Sequence, residues 1–407
     1  MIIPSIDLMN GKAVQLKQGK EKVLERDCVL DLALEFRKYG EIAVIDLDAV
    51  FGKGDNMEII KKICKIVDCR VGGGIRTIEK ANEILQAGAK KVIIGTKATP
   101  KFLEQLPKDR VIVAIDTKDG YIVNRGWTVK TNKTPKDLIK ELEPYCCGFL
   151  FTDVNREGLM KGIDFSKIKK LKELTKNKLT VAGGISYLSE IKLLEDLGVD
   201  SQLGMAIYTK KIDLAETFIN ILDFNKNNGL IPTIVQDEEN QVLMLAFSNK
   251  ESLLRTFREG KATYYSRSRK RLWTKGETSG NCQKIIKVRC DCDMDTLLFT
   301  VKQKNVACHE GKYSCFGEKE FSFQELYDVI DNRIGNSQPN SYTSKIASSE
   351  SKIKQKIKEE CLEVLKYKDK NNLVLEIADL VYFVFILMAK NGIEIKAIKN
   401  ELWRRRK

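Results

Sequence analysis

The chain runs to 407 residues, 43% hydrophobic and 31% charged, with 7 Pro and 27 Gly; that balance excludes low-complexity, collagen-like and disordered protein and leaves room for about two to four domains. Lys and Arg number 70 against 56 Asp and Glu, so the net charge of +14 asks for an anionic partner: nucleic acid, a membrane surface or phosphorylated metabolites. With 11 Cys and 1 His, schemes that need several imidazoles are excluded, and carboxylates and thiols must carry the chemistry.

Residues 1–223 alternate short Val/Ile-rich runs (IIPSID, IAVID, RVGG, KVIIG, VIVAID, FLFTD, LTVAGG, DSQLG) with amphipathic stretches such as DLALEFRKYG and KIKKLKELTK. Strands alternating with helices in this way predict a closed parallel (β/α)8 TIM barrel. Its halves repeat: Asp7 and Asp116, Gly73 and Gly183, and Gly95 and Gly204 recur at a common offset of about 110 residues. Asp7 and Asp116 end the first strand of each half, so the two carboxylates should face each other across the mouth. Different environments can then divide acid and base work between them. Gly73 and Gly74, their counterparts Gly183 and Gly184, and the later Gly95 and Gly204 let backbone N–H groups approach an anion, and two copies imply two phosphates. A lone Asp is ordinarily a cap and a lone Gly pair a turn; duplication in register favours the site.

In this segment PSIDLMNGKAVQL, VGGGIR, DTKDGYIVNRGW, TDVNREG and VAGGIS together closely resemble the isomerase of histidine biosynthesis that turns the aminoaldose ribotide of formimino-aminoimidazole carboxamide ribotide into its ketose form. The resemblance implies a cofactor-free Amadori rearrangement of a bisphosphorylated substrate. Asp7 matches the family's general base, Asp116 its general acid, Thr152 an assisting threonine and Trp127 the tryptophan of a mobile loop. Gln15 stands where an Arg is frequent, Glu157 and Leu159 stand in the usual DGT, and Met205 replaces the Arg after the eighth-strand glycine. The sister barrel, a cyclase, shares the paired Asp but not the IDL-NGK opening or the RGW loop.

DFNKNNG breaks the pattern into a polar linker, and residues 224–317 read as a small, mainly β (α+β) metal-binding domain: TIVQ, VLMLAF, ATYYSR, IIKVRCD and LLFTVKQ as strands, KESLLRTFRE as a helix. RCDCDMDTLL is expected to form a strand and its exit, alternation placing Asp291, Asp293 and Asp295 on one face and Cys292 on the other. CHEGKYSC adds Cys308, His309 and Cys315. Three soft ligands with an open position describe catalytic zinc, and three clustered Asp suit Mg2+. By composition SRSRKRLWTKGETSGN is either a nucleic-acid patch or a phosphate cradle. GLIPTIVQD, SRSR, RLW, KGETSGN, DCDMD and CHEGKYSCF together are similar to phosphoribosyl-AMP cyclohydrolase. That resemblance implies Zn2+ on Cys292, Cys308 and Cys315, Mg2+ on Asp291, Asp293 and Asp295, and a water activated for attack at C6 of the purine. His309 is then a candidate proton carrier beside that water.

Residues 318–407 lack strand signals and predict an all-α helical domain, with helices at FQELYDVIDNR, around 344–367, at NLVLEIADLVYFVFILMAK and at EIKAIKNELWRRRK. Glu359, Glu360 and Glu363 fall at helical spacing, and Glu376 and Asp379 on the next helix are set likewise. Such acids form either a solvated face or a Mg2+ site for pyrophosphate oxygens; Asp379, embedded in apolar sequence where an unpaired carboxylate is costly, favours the site. EExxE followed by ExxD, with SYTSKI and SKIKQKIKEE upstream, resembles phosphoribosyl-ATP pyrophosphohydrolase, which implies attack of a metal-bound water on the triphosphate, with Lys352 and Lys356 on the phosphates. Phe383 stands where many relatives carry His.

The odd cysteine count, the strand-like opening MIIPSIDL and the run LVYFVFILMA, only about half a bilayer span, predict a cytoplasmic protein without membrane association. The three resemblances are consecutive steps of one pathway in reverse chain order, which predicts a trifunctional histidine-biosynthesis enzyme. It would take phosphoribosylated small molecules and no nucleic acid, and pair as a homodimer through its two C-terminal domains. Two rivals remain open at this point: a bifunctional hydrolase on a scaffold barrel, suggested by Gln15, Leu159 and Met205, and a nucleic-acid binder using RSRKR and the RRRK tail.

Overall fold

The computed structural model describes residues 1–336 and 341–405, so the last two residues of the basic tail lie outside the described residues. Eight parallel strands, Ile2–Met9, Ile42–Asp46, Cys69–Gly72, Lys91–Ile94, Val111–Lys118, Gly148–Asp153, Lys178–Ala182 and Asp200–Leu203, pair in chain order, and the eighth returns to the first to close a barrel. Near-continuous apolar runs are what strands covered on both faces require, and Ile42, Ala43, Val44, Val111 and Val113 are fully buried. The surrounding helices present one apolar stripe each; Met57–Ile66 buries Met57, Ile60, Ile63 and Cys64. The internal repeat extends to a feature absent from the predicted pattern. Both the first and the fifth strand run on into antiparallel hairpins, Lys12–Lys17 with Glu21–Arg26 and Tyr121–Asn124 with Val129–Lys130, which carry Gln15 and Trp127 to the mouth.

The middle segment holds a four-stranded sheet in the order Val242–Ser248, Ile231–Gln236, Leu297–Gln303, Gln283–Cys290, a separate hairpin of Thr263–Ser266 and Arg271–Thr274, and the helix Lys250–Glu259. The strand expected to run through RCDCDMD ends sooner. Pairing stops at Cys290 with Leu297, and the next residues form a turn in which the Asp291 carboxylate accepts the N–H groups of Asp295 and Thr296, each at 3.1 Å. An Asp side chain that captures local amides competes with the ladder, so the acids are gathered by a turn rather than by strand alternation.

Barrel and middle segment pack into one compact unit, and the helical segment, Lys319–Trp403, forms a second. Within the first unit Tyr39 stacks on Phe257 with ring centres 4.7 Å apart, Phe218 meets Phe257 edge-on at 5.2 Å, and Lys287 pairs with Asp68 at 2.6 Å. Tyr39 and Asp68 precede the second and third strands, so the middle segment docks at the N-terminal end of the barrel.

In the helical unit, Phe323–Gly335, Lys370–Lys390 and Ile395–Arg405 match predicted helices, whereas the one expected around 344–367 is two, Tyr342–Ala347 and Glu350–Leu365. The break lies at a serine pair: Ser348 Oγ donates to the Lys345 carbonyl at 2.8 Å and Ser349 takes extended backbone at the N-cap position. Lys370–Lys390 is long and apolar enough, by length and composition alone, to cross a membrane. It buries only Phe383, Ile386, Met388 and Ala389 in the helical core, 22% of its most apolar stretch being buried, and leaves Val374, Leu375 and Ile377 exposed.

Candidate active sites

The C-terminal ends of the barrel strands enclose a cavity of about 230 Å³ lined by Asp7, Asp116, Trp127, Thr152, Gly73, Gly74, Gly95, Gly183 and Gly204; Gly184 lines an adjoining smaller recess with Gly183 and Gly204. All the barrel residues singled out from the sequence are therefore brought together. Asp7 accepts a hydrogen bond from Ser5 Oγ at 3.1 Å, and burial pushes its pKa up to about 6. Burial raises Asp116 as well, opposed by hydrogen bonds that the Trp127 indole and the Thr152 hydroxyl donate to its carboxylate. Thr152 is placed for this because parallel pairing sets it beside Asp116.

A third carboxyl, Glu157, joins them. Burial, then the charges of Asp7 and Asp116, lift it to about 8, and its Oε2 has no hydrogen-bond partner among the described residues. At neutral pH Glu157 keeps its proton while Asp7 is mostly ionised, so the mouth holds carboxyls in both protonation states beside Asp116. The sequence showed Glu157 only as a departure in TDVNREG; its place in a loop that follows a barrel strand was the available signal. Also unforeseen is the network behind the mouth: Asn56 Nδ2 donates to Asp46 at 2.8 Å and Asp48 at 3.0 Å, and Asp48 accepts the Asn10 N–H at 2.6 Å, which fixes the turn after the first strand.

Two of the predicted glycines are required by geometry. Gly73 has φ +96° and an added Cβ would lie 2.3 Å from the Asp46 carbonyl oxygen; Gly183 has φ +84° and its Cβ would lie 2.5 Å from Glu157 Oε2. The cavity's two ends differ in charge. Arg76 and Arg125 line the end at Gly74 and Gly95, whereas the end at Gly204 has Gln15, Gln202 and Met205. Gln15 Nε2 and Gln202 Oε1 are buried there with no partner among the described residues, so polar groups with unmet hydrogen bonds stand where a guanidinium was expected.

In the middle segment the oxygens of Asp291, Asp293 and Asp295 lie within 4.8 Å of one another. Lys226 of the linker reaches Asp293 at 2.6 Å and Asp295 at 2.8 Å. Cys308 and Cys315 are neighbours: burial, then the Cys308 thiol, push Cys315 upward, opposed by Lys275. Burial holds Lys275 below an ordinary lysine, and its ammonium donates to the Ala307 carbonyl at 2.8 Å. His309 Nδ1 lies 4.0 Å from Cys308 Sγ. Cys292 stays with the acids on the exposed turn, and among the described residues the three thiols form no common cluster.

In the helical unit Glu360, Glu363 and Glu376 place carboxylate oxygens within 4.8 Å of one another. Burial, then Glu363 and Asp379, raise Glu360, while a hydrogen bond from one carboxyl to the other raises Glu363 beside Glu376. So many acids at one place, their raised pKa values opposed only by the charge of Lys356 nearby, describe a seat for a cation. Glu359, predicted as a member, stands aside: the helix turns its Glu360 stripe toward the neighbouring helix, and Glu359 pairs instead with Lys356 at 2.7 Å and accepts from Gln355 at 3.0 Å. Lys356, expected on phosphate, is occupied by that pair.

Three family models match in succession: Histidine biosynthesis protein over residues 1–213, Phosphoribosyl-AMP cyclohydrolase over 244–317 and Phosphoribosyl-ATP pyrophosphohydrolase over 323–406. The chain belongs to the histidine biosynthesis protein family. Among its relatives, a phosphoribosyl imidazole-4-carboxamide isomerase of Methanocaldococcus jannaschii is 43% identical over 227 residues, 53% of this chain and 96% of the relative. The histidine biosynthesis bifunctional protein HisIE of Pyrococcus furiosus is 42% identical over 206 residues, 47% of this chain and 99% of the relative, and that of Aquifex aeolicus is 42% identical over 201 residues, 45% of this chain and 98% of the relative. This histidine-biosynthesis chain thus carries an isomerase barrel, a phosphoribosyl-AMP cyclohydrolase segment and a phosphoribosyl-ATP pyrophosphohydrolase segment, which together imply phosphoribosylated small-molecule substrates. Both hydrolase families are generally metal-dependent.

Proposed function

We propose that all three activities are retained, divided as domains 1–223, 224–317 and 318–407, and that the barrel is a working aldose–ketose isomerase rather than a scaffold. The observation that carries this is the cavity that gathers Asp7, Asp116 and Glu157, all three raised by burial, with Asp7 at about 6 and Glu157 at about 8. Asp116, steadied by Trp127 and Thr152, protonates the sugar ring oxygen and opens the aldose to an iminium. Asp7 removes the C2 proton to give the enolamine, which becomes the ketose as C1 takes up a proton and the C2 hydroxyl gives one up. Two protons enter and two leave with no change of oxidation state overall, so the barrel needs no cofactor. The substrate's phosphates occupy the two glycine ends, Gly73, Gly74 and Gly95 on the Arg76 side, Gly183, Gly184 and Gly204 on the Gln15 side.

In the cyclohydrolase segment Asp291, Asp293 and Asp295 offer hard oxygens that suit Mg2+, a reading supported by the Lys226 ammonium seated on two of them. Cys308 and Cys315 offer soft donors for Zn2+, with Cys292 supplied by a second copy of the chain. When bound, zinc supplies an activated water for ring opening. Lys275 balances the thiolates, and His309, one ring nitrogen from Cys308, moves a proton at the site's edge. Glu360, Glu363, Glu376 and Asp379 hold Mg2+ in the pyrophosphohydrolase segment, with Glu359 and Lys356 as its flank. A homodimer through the two C-terminal segments accords with the split thiols and with the exposed Val374, Leu375 and Ile377. Eleven cysteines, none of them in a disulfide, suit a cytoplasmic enzyme. The +14 charge serves phosphorylated intermediates, not nucleic acid.

Supplying phosphoribosyl-ATP with Mg2+ and Zn2+ and following the products by mass should end at the ketose; accumulation of the aldose isomer would support the scaffold reading and overturn this one. The pH profile is a second check. Asp7 acts as a base only when ionised, so kcat/KM for isomerisation rises as pH climbs through about 6. Glu157 is neutral below its pKa, and above about 8 its charge opposes the bisphosphorylated, strongly anionic substrate, so KM rises there. Glu157→Gln should hold KM level above about pH 8 and keep the acid limb of kcat/KM; a rise in KM that persists in this variant would exclude Glu157 as its source.

A further inference from the structure

The linker between barrel and cyclohydrolase segment is anchored rather than loose. The Asp223 N–H donates to the Met294 carbonyl at 2.8 Å, at the tip of the acid turn, and the Asn225 N–H donates back to Asp223 Oδ1 at 2.9 Å. The Gly229 N–H closes the next turn on the Phe224 carbonyl at 2.9 Å. Lys226 sits between these ties and inserts its ammonium between Asp293 and Asp295, the residues read above as Mg2+ ligands. Two carboxylates therefore share one cation that belongs to the chain itself.

We propose that Lys226 is a tethered competitor for the acid turn, so that a divalent cation binds Asp291, Asp293 and Asp295 only after displacing it. The inference rests on reading those acids as the metal site. Because the linker is pinned at both ends, the ammonium returns without diffusing, and the apparent metal affinity falls by the fraction of time the turn is free. The pair is solvent-exposed, with side chains 44%, 58% and 20% accessible for Lys226, Asp293 and Asp295, so the competition is modest and weakens with salt. The fusion thereby gives the second segment a metal site whose occupancy depends on how the barrel's last turn lies against it.

The test measures Mn2+ binding by the electron paramagnetic resonance of the free ion, on the full chain carrying Glu363→Gln and Glu376→Gln so that the helical cluster is silent. Lys226→Ala should bind Mn2+ about fivefold more tightly than the parent, Lys226→Arg should remain close to it, and the gap should narrow with added salt. Equal or weaker binding by Lys226→Ala, with Asp293→Asn still lowering affinity, would overturn the competitor role alone. Binding indifferent to Asp293→Asn would overturn the metal reading beneath it as well.

Discussion

Asp7→Asn lowers the isomerase kcat by about 10³-fold while phosphoribosyl-ATP is still converted as far as the aldose. The amide keeps the shape and the Ser5 contact but cannot take a C2 proton, and the opposite strand-end carboxyl, Asp116, is engaged by Trp127 and Thr152. Glu157, with a pKa of about 8, is protonated where Asp7, at about 6, is charged. Asp116→Asn should cost a similar factor for the opposite reason, loss of the acid that opens the ring. The double variant should be little worse than either single one, since the two act in one sequence of proton transfers. Stopped assays on purified aldose, with KM read separately, distinguish this from a binding defect: a loss confined to KM would remove Asp7 from the chemistry. Thr152→Val and Trp127→Phe, which strip hydrogen bonds from Asp116 without removing it, should show smaller losses.

The barrel's site was readable because strand ends in a duplicated barrel are fixed by register. Asp7, Gly73, Asp116 and Gly183 each close a strand, and parallel pairing carries them to one mouth. Glu157 and the Asn56 network lie in loops, where no period constrains the side chain, and they escaped assignment for that reason. In the middle segment the three acids lie together, but in a turn rather than along one face of a strand, because Asp291 folds the chain upon itself where alternation was expected. Glu359 differs again: Glu359 and Glu360 are equally spaced for a helix, and only the packing of Glu350–Leu365 on its neighbour decides which one faces the cluster. Burial direction, not spacing, selected between them.

The same geometry bears on why the domains are joined. The cyclohydrolase segment touches the barrel through Lys38, Tyr39, Asp68 and Phe218, at the end opposite the cavity. Strands of four to eight residues, at about 3.3 Å per residue, put those ends roughly 13 Å or more apart before any loop is counted. An aldose released from the middle segment reaches Asp7 only by passing around the outside of the barrel. Fusion therefore fixes the ratio of the activities and tethers Lys226 at the acid turn, and the contacts among the described residues leave the two sites at opposite ends of the barrel.

Cys308→Ser should stall the chain at phosphoribosyl-AMP and lower its bound zinc, as should Cys292→Ser, although the two residues form no common cluster within one chain. If Cys292 serves the neighbouring copy, the two inactive variants rescue each other. A mixed dimer has one site in which both defects coincide and one in which Cys292, Cys308 and Cys315 are all intact. Random re-pairing makes half the dimers mixed, so activity should return to about one quarter of the parent's. Zinc content measured on the same mixture should recover in step. Were the thiols gathered within a single chain by a movement of the exposed turn, every chain in the mixture would still lack one ligand, and neither activity nor zinc would recover. Lys275→Gln offers an internal control, because it sits beside Cys308 and Cys315 in the same chain. Placed on the Cys292→Ser chain it spoils the only intact site of the mixed dimer, whereas on the Cys308→Ser chain it falls in the site already lost.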